Sequence, residues 1–203
     1  MIEIVTRKII KPQDCVVAIC IPVTFEAYTS AQIYPENRDF VPNCFGSWLE
    51  YRYHIINSTS KVLPEIEKLG VSVIKDVTIS NFADLLTKNA YSIVMLIAHW
   101  KDDAIEFADG LENISEIVNI VPPSFEGILD LCICHPTNLA MKLREVRPNC
   151  RVRFTNAKST LTLWLYYFLA LFKKLELEEI TYPAAHEFIN REFKKRLERE
   201  IQS

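Results

Sequence analysis

Two residues that end apolar runs set the chemistry open to this chain. His99 follows S-I-V-M-L-I-A, and Cys134 ends G-I-L-D-L-C-I-C. A thiol is a poor nucleophile until it ionises, and a neighbouring imidazole lowers its pKa and raises the thiolate fraction. Cysteine hydrolysis needs this pairing: Cys134 attacks, and His99 takes the thiol proton and later protonates the leaving amine. Backbone N–H groups near Cys134 then have to hold the oxyanion. Cys132 shares a strand face with Cys134, because side chains alternate with a period of two. Cys134 lies nearer the carboxyl end and is the expected nucleophile, with Cys132 lining the pocket.

For the two groups to meet, the runs that carry them must be neighbouring strands. Aliphatic runs without polar alternation read as strands buried on both faces of a parallel sheet. In such sheets chemistry collects at the carboxyl ends, and adjacent strands lie about 5 Å apart. C-V-V-A-I-C-I-P-V, from Cys15 to Val23, is a further central strand. Shorter ones are expected at Val71–Ile74 and Cys150–Phe154. Helices fall between them. The first runs from a Ser47 cap, with Glu50 as capping-box partner, to a stop at Gly70. Others are expected at Asn81–Lys88 behind Ser80, Ile114–Val121, Asn138–Val146 and Leu161–Leu175. This alternation predicts an α/β fold: a single three-layer domain over 1–203, with a mostly parallel central sheet and helices on both faces. Its core is expected over about 15–175, with a closing helix over 183–199. Ala104–Phe107 alternates and precedes Asp109-Gly110, a tight-turn signal, so a small hairpin should follow His99. Thr24–Asn43 is polar and aromatic and carries Pro35 and Pro42. It reads as a long functional loop beside the site. Met1–Ile10 reads as an edge strand or an arm.

Composition narrows the class. The chain has 203 residues, 49% of them apolar, and a net charge of −3. No basic surplus exists to neutralise phosphates, so no nucleic-acid partner is expected. The N-terminus lacks the apolar core of a signal peptide, and the apolar run Leu161–Phe172 is too short to span a bilayer. A cytoplasmic protein with no membrane contact is therefore expected. Cys15, Cys20 and Cys150 sit in apolar surroundings and read as small buried hydrophobes in a reducing compartment. With four glycines and no glycine-rich phosphate loop, a flavodoxin-like nucleotide binder is disfavoured and no cofactor is expected. Cys132, Cys134 and His135 offer metal ligands together with His99. The spacing lacks a second pair, and adjacent strand residues face opposite ways, so no metal site is expected. His54 and His186 fall on helices and read as packed or surface residues. Glu26, Asp39, Asp102 and Asp130 are possible partners for a basic substrate side chain, and Arg38 or Arg153 for an acidic one. Asp102-Asp103 reads first as a solvated turn.

A strand ending in His99, then I-E-F-A-D-G over 105–110, a short helix, and a strand ending D-L-C-I-C-H-P resembles the caspase-like cysteine peptidases. The closest likeness is to the CHAT group, beside metacaspases, separases, gingipains and clostripain. It extends in element order from Cys15 to about Leu175, including the apolar helix L-T-L-W-L-Y-Y-F-L-A-L. The resemblance implies a His-Cys dyad, His99 as base and Cys134 as nucleophile, acting on a protein substrate. Where that family carries glycine after the histidine, this chain has Trp100, expected to line or narrow the substrate cleft. Where metacaspases place an acidic residue before the nucleophile, this chain has Cys132. Glu26, in the loop after the first strand, is a candidate for substrate contact. Pro136 stands where the family has a small residue and has no N–H to offer an oxyanion.

Two functions follow as expectations. The first is a cysteine endopeptidase of caspase-like, CHAT-type architecture, controlled by a regulatory protein partner, an oligomer or the 24–43 loop. The second is a CHAT-like binding or scaffold module in which Trp100 and Pro136 have ended catalysis.

Overall fold

Aliphatic runs too short for helices form the centre of the molecule. β1 (Cys15–Ile19), β3 (Ile93–Ile97) and β7 (Ile128–Cys132) are buried along their whole length. β2 (Ser72–Lys75) and β8 (Arg151–Phe154) are partly exposed and close the two edges. All five run parallel, in the order β2-β1-β3-β7-β8. The structure, a computed structural model, describes residues 8–33, 38–88, 90–155 and 160–202, with 196–202 as backbone alone.

Alternation along the strands feeds two cores. Val17, Ile19, Met95, Ile97 and Cys132 point into the first. It is covered by α1 (Phe25–Ile33), α2 (Phe40–Cys44), α3 (Trp48–Tyr51), α4 (Asn57–Lys68) and, later in the chain, by Leu161–Leu177 and Tyr182–Gln202. Val16, Ala18, Leu96, Leu129 and Leu131 point into the second, beneath α5 (Ile79–Lys88), α6 (Ile114–Ile120) and α7 (Thr137–Val146). The two helices at the carboxyl end, Leu161–Leu177 and Tyr182–Gln202, are α8 and α9. The architecture is thus the predicted one, an α/β protein with helices on both faces of a parallel sheet.

Several local expectations need correction. The segment read as a long loop, Thr24–Asn43, contains α1 and the start of α2, with 34–37 outside the described residues. The helix expected to run unbroken from Ser47 is interrupted by a π turn at Arg52–Ile56. Ser47 does accept from the Glu50 N–H at 3.3 Å, but the Glu50 carboxylate accepts from the Gly46 N–H at 2.9 Å instead of closing the box. Thr78, not Ser80, caps α5 through the Asn81 N–H, and Asn113 caps α6 through the Ser115 and Glu116 N–H groups. Most of the Met1–Ile10 arm lies outside the described residues, and Ile9 forms an isolated bridge to Thr181. The predicted hairpin is a three-stranded antiparallel sheet of β4 (His99–Lys101), β5 (Ala104–Phe107) and β6 (Gly110–Asn113). Asp102 and Asp103, both exposed, make its first turn with φ of 47° and 61°, the sign a two-residue primed turn requires. Among the described residues, no helix is long and apolar enough to cross a membrane.

The first core holds a buried polar network. Asp130, fully buried in β7, accepts from Arg153 Nη1 at 2.7 and 2.9 Å and from the Tyr182 hydroxyl at 2.6 Å. His186 Nε2 lies 3.5 Å from the same carboxylate. Asp130 and Arg153 therefore tie β7, β8 and α9 together and are not available to a substrate. Burial alone would raise the Asp130 carboxyl, but the Arg153 guanidinium, His186 and Tyr182 outweigh it and hold it below the ordinary carboxylate range. A carboxylate held low adds stability above its unfolded value, near ~4, and loses it as pH falls through the lower folded value. Asp130→Ala leaves Arg153 without its partner and should cost about 3–5 kcal/mol in urea unfolding. It should also remove part of the acid sensitivity expected below about pH 4. An unchanged midpoint and an unchanged acid limb would contradict this assignment.

Candidate active site

The register of the central strands decides where the chemistry falls. Ile97 of β3 pairs with Cys132 of β7, and both enter the first core. Each chain then continues by one residue of opposite parity, Ala98 and Ile133, both packed in the second core. The next residues, His99 and Cys134, turn back toward the first. Both line the wall of one cavity of about 790 Å³ on that side. The cavity opens at the carboxyl ends of β1, β3 and β7, beside the point where strand order reverses about β1, the usual crevice of such sheets.

Cys134 stands beyond the end of β7, in the turn that enters α7. His135 takes φ of 53°, a left-handed conformation rare outside glycine, and Pro136 precedes the first helical residue. This kink presents Cys134, partly exposed, while Ile133 stays buried. Backbone strain of this kind clusters at functional positions. Among the described residues, neither the Cys134 nor the His135 N–H donates to any turn or loop carbonyl.

The imidazole of His99 is held by a carboxylate. Asp39 Oδ2 lies 2.9 Å from His99 Nε2, and its other oxygen takes hydrogen bonds from Lys101 Nζ and, at 2.5 Å, from Asn43 Nδ2. Burial works against the ionised form of Asp39, but the hydrogen bonds from Lys101, His99 and Asn43 prevail and hold the carboxyl below its usual range. An ionised carboxylate only accepts, so Nε2 of His99 carries a proton and Nδ1 is left as the basic nitrogen. The Phe40 ring, 5.2 Å between centroids, flanks the imidazole.

Asp39 is itself held by Glu106. That residue occupies the middle of β5, opposite His99 in the antiparallel register, and is 1% exposed. Its carboxylate accepts from Arg38 Nε at 2.6 Å, the Asp39 N–H at 2.9 Å and the Phe40 N–H at 2.8 Å. Arg38 also donates to the carbonyls of Ala108 and Cys20, at 3.1 and 3.3 Å. The segment 38–40 is thereby fixed over the small sheet, with Asp39 on one side of it and His99 below.

The other residues singled out from the sequence lie elsewhere. Trp100 points away from the cavity, packs against the second core and pairs with Ile105 across β4 and β5. Cys132 is buried in the first core, where burial raises its thiol well above the ordinary range. Glu26 is exposed in the first turn of α1 and is not on the cavity wall. None of the three lies on the wall of this cavity, where they were expected to contact substrate. Arg38 is committed to Glu106, as Arg153 is to Asp130. Of the four ligands considered for a metal, Cys132 is in the core and His135 faces a separate depression with Asp103, Thr137 and Asn138. Among the described residues, no group of three His, Cys, Asp or Glu is gathered as a metal site requires.

Sequence reasoning missed Glu106 and underused Asp39. Glu106 sits at the polar position of an alternating strand, where solvent is the default, and only the segment above it makes that position interior. His54 was read as a packed or surface residue; the π turn sets it on the cavity rim, where its carbonyl accepts from Thr162 Oγ1 at 3.1 Å. Compared with known proteins, the chain matches no family model and no curated protein.

The Glu106 assignment predicts a large effect from one substitution. Glu106→Ala leaves the buried Arg38 guanidinium without its counter-charge, and Arg38 Nε and two backbone N–H groups without an acceptor, and should cost roughly 3–5 kcal/mol in thermal or urea unfolding. A loss under about 1 kcal/mol, the size of an exposed pair, would contradict it.

Proposed function

We propose that this chain is a cysteine endopeptidase of caspase-like type in which Cys134 is the nucleophile and His99 the general base. The observation that supports this reading is the shared wall: a partly exposed thiol and an oriented imidazole face one cavity at the carboxyl ends of the central strands. The Cys134 thiol gives its proton to His99 Nδ1, and the thiolate attacks the scissile carbonyl carbon. A C–S bond forms as the carbonyl π electrons move onto oxygen, giving an oxyanion next to the N–H groups of Cys134 and His135. The C–N bond then breaks, and the protonated imidazole delivers its proton to the leaving amine. Water, deprotonated by the same nitrogen, hydrolyses the acyl-enzyme and restores the thiol. Asp39 acts as a positioning residue throughout, because it fixes which nitrogen is basic.

The six cysteines are unpaired, which supports a reducing, cytoplasmic setting. A regulatory protein partner belongs to the same reading. The rival is a binding module of the same architecture. It is favoured by Pro136, which withholds from an oxyanion the N–H that a small residue would supply there.

Thiol reactivity separates the two. Cys15, Cys20, Cys132 and Cys150 are buried, and burial raises each thiol, that of Cys150 to about 12. Cys44 is exposed, yet desolvation and the charges of Asp39 and Glu106 raise its thiol too. Iodoacetamide at neutral pH should therefore mark Cys134 first. His99→Ala should slow that labelling about tenfold or more, because the thiol loses its proton acceptor, while leaving Cys44 unchanged. Cys134→Ala should abolish cleavage of a protein substrate. Labelling of Cys134 that ignores His99, with proteolysis that survives Cys134→Ala, would exclude the peptidase.

A further inference from the structure

We propose that the cavity beside Cys134 is a subsite for an apolar or aromatic side chain of the substrate, at the residue whose carbonyl is attacked. This inference rests on the peptidase reading and names the substrate class for it. The cavity floor is made by Ile21, Ile55, Ala98 and Leu161, all buried, with the rings of Phe40 and Phe45 on one side. At about 790 Å³ it falls within the range that encloses small ligands, roughly 300–1,000 Å³, and accommodates a Leu, Phe or Tyr with its neighbours.

The charges on the wall make the choice. Recognition of a basic side chain needs a free carboxylate at depth, and recognition of an acidic one needs a free cation there. Asp39, next to His99, has its two oxygens occupied by His99, Lys101 and Asn43. Glu50 is exposed at the mouth and accepts from the Gly46 N–H. Lys61 is also exposed at the mouth, so the rim carries one charge of each sign and prefers neither. Arg38 is committed to Glu106 below the segment. Among the described residues, therefore, the depth of the cavity offers no counter-charge, and a charged side chain placed there would be desolvated without a partner.

The wall depends on the π turn. The extra residue per turn at Arg52–Ile56 turns Ile55 into the floor and leaves Tyr53 and His54 on the rim. Such single π turns recur at functional sites, where they re-aim side chains. Tyr53 and Tyr166, 70% and 47% exposed, flank the mouth from opposite helices. Exposed aromatics in that arrangement suit contact with an extended peptide, not a surface left to water.

The test uses the intact chain and a peptide panel that varies one residue, Leu, Phe, Arg or Asp, before the scissile bond. Cleavage of Leu and Phe peptides should exceed that of Arg and Asp peptides by about tenfold or more in kcat/KM. In parallel, fluorescence anisotropy follows the same peptides on the Cys134→Ala protein. Binding should show the same order and weaken severalfold in Phe45→Ser and in the half-exposed Tyr166→Ser, the second chosen because it leaves the core intact. Cleavage without side-chain preference, or with preference for Arg or Asp, overturns the subsite and leaves the peptidase standing. Apolar binding to Cys134→Ala with no cleavage by the intact chain removes the peptidase and leaves the cavity as an apolar peptide site. Binding unaffected by both wall substitutions, or no binding at all, overturns the proposal.

Discussion

The carboxylate of Glu106 is the constraint on which the site depends. A buried anion is tolerated only when its lone pairs are met, and here a guanidinium and two consecutive backbone N–H groups meet them. Those N–H groups belong to Asp39 and Phe40, the residues that touch the His99 ring. One interaction thus satisfies a charge, anchors the approach to α2, and sets both the tautomer and the tilt of the imidazole. A pair this deeply buried adds little net stability compared with an apolar replacement, but removing one partner is costly. Its effect is on specificity of structure: it leaves the segment one place to sit.

The second constraint is parity in the parallel sheet. Once Ile97 and Cys132 are in register and in the same core, His99 and Cys134 must return to that side. A slip of one residue in either strand would send one of the pair to the opposite face. The Asp130 network guards that register from below, since Asp130 is fixed from β8 and from α9 at once. The register-setting network and the cavity therefore share β7, and the same strand that packs the core carries the thiol to the rim.

Much of this was legible in the sequence, for physical reasons that also explain the failures. The central strands were legible because Val16–Ile19 and Val94–Ile97 are aliphatic without alternation, which leaves only a sheet buried on both faces. His99 and Cys134 were legible because each ends such a run. Thr24–Asn43 was misread because prolines and polar residues outweighed the helical spacing of Tyr28 and Ala31, both buried, with the Tyr28 ring packed on Trp48 and Tyr51 of another helix. Trp100 was misplaced because β4 of the small antiparallel sheet begins at His99 and turns the next side chain, the indole, toward the second core opposite Ile105. Neither Glu106 nor the π turn leaves a local trace, since both are set by contacts between segments far apart in the chain.

The account is tested most directly by the protonation pattern of one ring. Long-range nitrogen–proton NMR of ring-labelled histidine reports which nitrogen of His99 carries the proton at neutral pH. If Glu106 holds Asp39 against Nε2, that nitrogen is protonated and Nδ1 bare in the native chain, and Glu106→Gln blurs the pattern toward an exchanging mixture in a protein that is still folded. A proton fixed on Nδ1, or an Nε2 pattern that Glu106→Gln leaves untouched, would contradict the account at its root.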